Sequence, residues 1–203
     1  MVKELCENNY KVTSHLLDSI DAQFEQASSM TDWICFDHSV AELLKRDIGS
    51  AAFYDYNKKQ VLEHLDNHFS YLPIADYIPA IFIEGDNGID IRRGADAHLV
   101  STESFADSWW YQEAEWREGS AIWGTICENA GNYTNSGPVL PMMRVIKDTN
   151  SGRRLGKMIV LYSQRIFAQQ MDSFEFSQED AIYCVDASGN ILYQNMDRKE
   201  SKI

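Results

Sequence analysis

Aromatic side chains with polar tips are concentrated in one short stretch of the sequence. Trp109, Trp110, Tyr111, Trp116 and Trp123 lie within fifteen residues. On a helix, Trp109 and Trp116 share one face and Trp110 lies on the neighbouring face, so these rings cannot all be core. Rings that pack on one edge and hydrogen-bond on the other are typical of small-molecule pockets. We expect Trp110 and Tyr111 either to contact a ligand or to pack in the core.

Further candidates for the same pocket follow along the chain. Trp123 and Thr125 lie in one strand-like run, and Tyr133 lies in a polar loop. Arg144 interrupts an apolar strand, where its charge either faces solvent or points into the pocket toward an acidic group. The predicted ligand-binding residues are Trp110, Tyr111, Trp123, Thr125, Tyr133 and Arg144.

Two histidines offer a different chemistry. His64 and His68 are four positions apart on a predicted helix, so their imidazoles can share a face and hold zinc. A metalloprotease helix has Glu directly after the first His, and this sequence has Leu65. A solvated helix face is the alternative. Because the sequence also has no phosphate loop, nucleophile elbow or paired catalytic carboxylates, we predict no catalytic residue, no metal and no cofactor.

Charge and composition narrow the class of partner. The 203 residues carry 18 Lys and Arg against 31 Asp and Glu, a net charge of −13, and 44% are hydrophobic. This balance argues for a folded domain and against nucleic-acid binding or electrostatic attachment to anionic lipid. No run of about 18 apolar residues occurs, so any membrane span must lie outside this sequence. The four cysteines form no CxxC pair and favour free thiols.

The first third of the chain has the apolar spacing of helices. An apolar stripe with helical spacing predicts a long amphipathic helix, which packs on its own domain, forms a dimer seam, or does both. The stripe comprises Val2, Leu5, Val12, Leu16, Ile20, Phe24 and Ala27. Ser39 and Glu42 have the spacing of a capping box, which predicts a second helix stopped by Gly49. A third helix is predicted over 57–69.

From Ile78 onward the apolar period changes to that of strands. An Asn-Gly pair at 87–88 between alternating apolar runs predicts a hairpin. A helix over 107–118 follows, and then three strands and a final hairpin. These strands are predicted at 121–127, 139–147, 155–164, 181–185 and 191–194. Short connections favour an α+β fold with a five-stranded antiparallel sheet, a long N-terminal helix and flanking helices.

Several segments together resemble a Cache domain, the PAS-like extracellular sensor module of bacterial membrane receptors. They are IFIEGDNGI at 81–89, WYQEA at 110–114, PMMRVIKD at 141–148 and LGKMIVL at 155–161. The pattern is most similar to the ectodomains of two-component sensor histidine kinases. In some Cache domains an Arg two residues before the Trp-Tyr pair binds the carboxylate of an amino acid. Here that position is Ser108.

The resemblance implies a domain organisation and a function. Residues 1–35 would form a dimerising stalk helix, 36–175 the membrane-distal sensor domain, and 176–203 part of a membrane-proximal module. The chain would be the extracellular sensor of a plasma-membrane histidine kinase, with a small-molecule ligand, a homodimer partner and its membrane spans outside this sequence. The alternatives are the sensor of a chemoreceptor or a diguanylate cyclase, and a small metal-dependent hydrolase built on His64 and His68.

Overall fold

A computed structural model describes residues 2–47, 49, 51–69, 71–117, 119–127, 137–167, 183–185, 189 and 191–194, with backbone alone for 2–9, 51–53 and 191–194. These residues contain four α-helices and seven β-strands. In chain order they are α1 (Val2–Phe36), α2 (His38–Lys45), α3 (Ala51–Phe69), β1 (Ala80–Gly85), β2 (Asp90–Arg93), α4 (Trp109–Trp116), β3 (Ile122–Trp123), β4 (Val139–Lys147), β5 (Arg154–Ser163), β6 (Tyr183–Val185) and β7 (Ile191–Gln194).

The first five strands form one antiparallel sheet in the order β2-β1-β5-β4-β3. Strands β1 and β5 are neighbours at its centre although α4, β3 and β4 separate them in sequence. The α+β class, the PAS-like five-stranded sheet, the long N-terminal helix and the flanking helices are therefore confirmed. The final hairpin, β6–β7, forms a separate two-stranded sheet, and Cys184 packs against the core on the α1 side.

Helix α1 buries the apolar stripe that the sequence predicts. Leu16, Ile20 and Ala27 are buried, and the stripe continues through Met30 and Ile34. The helix extends to Phe36 because this spacing continues to its last turn. The side chains at 2–9 lie outside the described residues, and no described helix combines the length and hydropathy needed to cross a membrane.

The ends of the next two helices differ from the sequence prediction. The N-cap of α2 is Asp37 and not Ser39, because the Asp37 carboxylate accepts the backbone N–H of Val40 at 3.0 Å. Helix α3 begins at Ala51, six residues before the predicted start. At the other end of α2, the Asn87 side chain donates to the carbonyls of Leu43 and Arg46 at 3.1 and 2.8 Å. The predicted hairpin turn therefore also caps a helix.

Strand β3 is shorter than the predicted run 121–127. Its ladder with β4 covers Ile122 and Trp123, and Cys127 rejoins β4 through an isolated bridge. The next position pairs Gly124 N–H with the Pro141 carbonyl at 2.8 Å. Because proline has no backbone N–H, Pro141 cannot donate the second hydrogen bond of this pair, and the regular ladder stops there. Helix α4 is likewise confined to Trp109–Trp116 within the predicted 107–118.

Both faces of the sheet are covered, and each has its own core. One face packs against α1, α2 and α3 through residues such as Ile81, Met142 and Val160. We call this the helix-bundle face. The other packs against α4 and the 3₁₀ turn at Thr102–Phe105 through residues such as Phe82 and Ile159. We call this the α4 face. Alternation along each strand thus decides which residues can reach α4.

Three cysteines are free thiols within the described residues: Cys35, Cys127 and Cys184. Cys35 is buried at the end of α1, and this burial raises the pKa of its thiol to about 12. A thiol with so high a pKa is almost entirely protonated at neutral pH and is a poor nucleophile. The expectation of free thiols therefore agrees with the described structure for these three residues.

Candidate functional site

Helix α4 is fixed on the sheet by Trp110. Its indole is 1% exposed and packs beside the Phe105 ring, with a centroid separation of 5.4 Å. A Cβ placed on Gly124 would lie 2.7 Å from Trp110 Nε1 and 2.8 Å from Cγ of Pro141. The indole therefore occupies the space that a side chain at position 124 would need. Trp110 is a core residue of the α4 face.

The neighbouring residue on α4, Tyr111, meets a cluster of polar side chains on the sheet. Lys157 Nζ donates a hydrogen bond to the Tyr111 hydroxyl and lies 3.0 Å from Glu84 Oε2. Glu84 and Lys157 are directly opposite each other on β1 and β5, so their side chains share the α4 face. Thr102 donates to the second carboxylate oxygen of Glu84. We call Glu84, Thr102, Tyr111 and Lys157 the Lys157 cluster.

The Lys157 cluster holds opposite charges at partial burial. The side chains of Lys157 and Glu84 are 18% and 25% exposed. Burial alone would lower the pKa of Lys157, but its hydrogen bonds with Tyr111 and Glu84 and the charge of Glu84 outweigh burial and raise it. Lysine therefore stays charged throughout the physiological range. In a partly buried site, the Lys157 cation can bind an anionic group of a ligand, and the Glu84 anion can bind a cationic group.

A second ion pair joins α4 to the same strand. Glu115 accepts a bidentate contact from the Arg154 guanidinium, and Arg154 Nε lies 3.3 Å from Asp86 Oδ1. The hydrogen bonds to Glu115, and then the charges of Glu115 and Asp86, raise the pKa of Arg154. Together with the contact between Tyr111 and Lys157, this pair attaches α4 to β5 at two positions of the helix that are four residues apart.

The structure divides the predicted binding residues between the two faces of the sheet. Trp110 and Tyr111 lie on the α4 face, and Thr125 is half-buried just after Gly124. Trp123 lies on the helix-bundle face, where its ring packs edge-on against Phe24 at 4.6 Å. Arg144 lies on that face too. Tyr133 is outside the described residues.

Arg144 is neither solvated nor directed toward α4. It forms an ion pair with Asp32 of α1, and its side chain is 14% exposed. Its Nε donates to the Gly119 carbonyl at 2.8 Å, and its Nη1 lies 3.3 Å from Thr31 Oγ1. All these partners belong to α1 or to the connection between α4 and β3. Arg144 thus joins elements of the protein itself.

A small cavity lies between α1 and the helix-bundle face. Its volume is about 10 Å³, far below what a ligand needs. Its lining is mostly apolar and includes Phe24, Trp123, Leu140, Tyr162 and Phe167. This cavity therefore leaves no room for a ligand beside Trp123, since drug-sized ligands need several hundred Å³.

The two candidate zinc histidines have other contacts. His64 Nε2 lies 2.8 Å from Asp37 Oδ2, and the His68 ring stacks on Trp33 with a centroid separation of 3.6 Å. Burial, and then the charge of His64, lowers the pKa of His68. Among the residues with described side chains, no group of three His, Cys, Asp or Glu is placed to hold a metal ion. These contacts attach α3 to the junction of α1 and α2.

Sequence reasoning missed three members of the Lys157 cluster: Glu84, Thr102 and Lys157. The signal for Lys157 was present, because it is a charge in the otherwise apolar run LGKMIVL at 155–161. Glu84 is two and four positions from Phe82 and Ala80 on β1, so alternation places it on their face. Thr102 comes from a 3₁₀ turn whose approach to β1 has no local sequence signal.

Comparison with known proteins supplies fold relatives. No family model and no curated sequence matches the chain. Among solved structures, the ligand-binding domain of Campylobacter jejuni chemoreceptor Tlp3 in complex with L-norvaline superposes with a TM-score of 0.65 at 12% identity, over 95% of this chain and 70% of that one. The Pseudomonas fluorescens chemoreceptor CtaA domain with L-serine gives 0.60 at 14% identity, covering 95% and 73%. The Pseudomonas aeruginosa PctC domain with GABA gives 0.57 at 15%, covering 91% and 74%.

The chain therefore has the fold of the ligand-binding domains of bacterial chemoreceptors, which are Cache-type, PAS-like sensor domains. This confirms the fold that the resemblance implied. At 12–15% identity the likeness concerns the fold, and function must be argued from the site.

Proposed function

We propose that this chain is the extracellular sensor portion of a bacterial membrane receptor and that it binds a small molecule on the α4 face of the sheet. The observation that carries the proposal is the Lys157 cluster. It places a cation, an anion and the Tyr111 hydroxyl, all partly exposed, together with the buried Thr102 hydroxyl, beneath α4. The shared fold with chemoreceptor sensor domains supports the same assignment. Binding, and not catalysis, is the role of the chain.

The ligand chemistry follows from the charges of the cluster. Lys157 can exchange Glu84 for a ligand carboxylate, and Glu84 can exchange Lys157 for a ligand ammonium group. A zwitterion satisfies both charges at once. The solved relatives carry L-norvaline, L-serine and GABA, which are such molecules. Ser108 replaces the carboxylate-binding Arg of some Cache domains, and Lys157 offers an alternative cation.

The other predicted residues take roles that fit their positions. Tyr111 contacts the ligand directly, Trp110 supports it from the core, and Thr125 follows Gly124 in the chain beyond β3. Tyr133, outside the described residues, stays a predicted ligand contact. Trp123 and Arg144 act from the opposite face. Helix α1 forms a dimer with a second copy and carries the signal toward the membrane, where the output is a chemoreceptor signalling domain or a histidine kinase. Chemoreceptor relatives favour the former.

A thermal-shift screen of the 203-residue chain tests the proposal. The compounds are L-amino acids, GABA, organic acids, sugars and amines, and native mass spectrometry of the purified chain identifies any retained metabolite. We expect a zwitterion to raise the melting temperature. At a ligand concentration of 100 Kd the gain is about 2.7 kcal/mol, or roughly 5–11 °C for a chain of this length.

Variants then locate the site. Tyr111→Phe and Lys157→Met should remove most of the ligand-induced shift. Trp116→Ala is the matched control, because Trp116 lies on the same helix with its ring 80% exposed. Ligand shifts that persist in Tyr111→Phe and Lys157→Met would place binding elsewhere. Stoichiometric zinc that is lost on changing His64 and His68 to Ala would favour the hydrolase instead.

A further inference from the structure

Arg144 connects α1 with the segment between α4 and β3. Its guanidinium reaches Asp32 and Thr31 on α1 and, through Nε, the Gly119 carbonyl between α4 and β3. Gly119 follows the C-cap of α4, Arg117, by two residues. The same side chain is therefore attached to the helix above one face of the sheet and to the connection that leaves the helix above the other.

The surroundings of Arg144 make these contacts restrictive. Met142 and Ile146, the flanking residues on the same face of β4, are fully buried. A largely buried guanidinium loses hydration, so it needs a partner for each donor edge. Its planar group also fixes the directions in which those partners must lie. Movement of the Gly119 carbonyl must therefore either break a charge-assisted hydrogen bond or carry the guanidinium along.

We infer that Arg144 is the positioning residue that couples α4 to the signalling helix α1. This inference rests on the proposed function for its biological role, since a ligand on the α4 face has to displace α4 before α1 responds. Ligand entry disturbs the Tyr111 contact with Lys157, shifts α4, and moves the carbonyl of Gly119. Arg144 transfers that displacement to the last two turns of α1 through Asp32.

A second contact between the sheet and α1 provides the comparison. The Tyr162 hydroxyl on β5 donates to the Ala27 carbonyl of α1 at 3.2 Å and is buried. The Tyr162 ring also packs against Trp123 of β3, with a centroid separation of 5.1 Å, and a phenylalanine would keep that contact. Tyr162→Phe thus removes one attachment of α1 but leaves the path through Gly119 intact. It is the matched control for Arg144→Met, which removes both ends of the bridge.

Hydrogen exchange on the 203-residue chain without ligand tests the coupling. Peptides that cover 27–36 and 117–124 report on the two ends. We expect Arg144→Met to accelerate exchange about tenfold in both segments, as loss of hydrogen bonds to a charged group does. Tyr162→Phe should accelerate exchange in 27–36 alone. Arg144→Lys retains the positive charge but not the planar guanidinium. It should keep exchange slow in 27–36 and leave exchange accelerated in 117–124.

A substitution on the α4 face completes the test. Tyr111→Phe should accelerate exchange in 27–36 of the otherwise unchanged chain and have no further effect there in the Arg144→Met background. An effect of Tyr111→Phe on 27–36 that is the same in both backgrounds would overturn the inference, as would an Arg144→Met change confined to 27–36. Because no ligand is used, a failed ligand screen would refute the proposed function and leave this result standing.

Discussion

The core position of Trp110 makes its replacement by alanine a quantitative test of the structure. The indole is 1% exposed, and complete removal of a buried tryptophan costs about 3–5 kcal/mol. A domain of this size is stable by about 5–15 kcal/mol. We therefore expect Trp110→Ala to lose a large part of the total stability and to melt roughly 6–20 °C lower. Trp116, on the same helix, is 80% exposed, so Trp116→Ala should change stability by less than about 0.5 kcal/mol.

Urea unfolding followed by far-ultraviolet circular dichroism measures both variants without relying on tryptophan fluorescence. The slope of the free energy against urea should be unchanged, since the same surface is exposed on unfolding. A loss below about 1 kcal/mol for Trp110→Ala would refute the packing described for α4. So would equal losses for the two variants. Because Trp110→Ala lowers stability, ligand effects are better measured with Tyr111→Phe, which keeps the ring.

Three further predictions concern local features. Gly124→Ala, whose new methyl would lie 2.7 Å from Trp110 Nε1, should cost about 1–3 kcal/mol in urea unfolding; a neutral result would contradict the close approach. Asp37→Ala removes both an N-cap and the partner of His64 and should cost at least about 1 kcal/mol; unchanged stability would argue against that cap. Hydrogen bonding, first to Lys45, lowers the pKa of Asp148 to about 2 from 3.8. Its stabilising contribution is therefore present above pH 3.8 and lost as pH falls toward 2. In Asp148→Asn the urea midpoint of unfolding should depend less on pH over that range than in the unchanged chain.

The elements with strong periodicity were predictable from the sequence. The α1 stripe, the hairpin around Gly88 and the strand Val139–Lys147 follow from local patterns of apolar residues and turn residues. The α+β class followed because short connections permit antiparallel pairing. Such features depend on interactions within a few residues, so one sequence is enough to show them.

The division of the site between two faces was not predictable in the same way. Trp123 and Trp110 are thirteen residues apart in one aromatic-rich stretch, yet they belong to opposite cores. The pairing of Trp123 with Met142 decides the outcome, because partners across a sheet share a face. Likewise, Asp37 replaced Ser39 as the cap of α2 because α1 continues to Phe36 and leaves Asp37 at the junction.

The two faces of the sheet now have different physical roles. The α4 face carries the Lys157 cluster, whose polar groups are partly exposed apart from the buried Thr102, so small changes in hydration or ligation can rearrange them. The helix-bundle face is a close-packed apolar core in which Arg144 is the exception. Packed cores transmit displacement because they do not deform continuously. The sensor role proposed for the chain requires both properties, an adaptable surface for a ligand and a stiff connection to α1, and strand alternation places them on opposite sides of the same five strands.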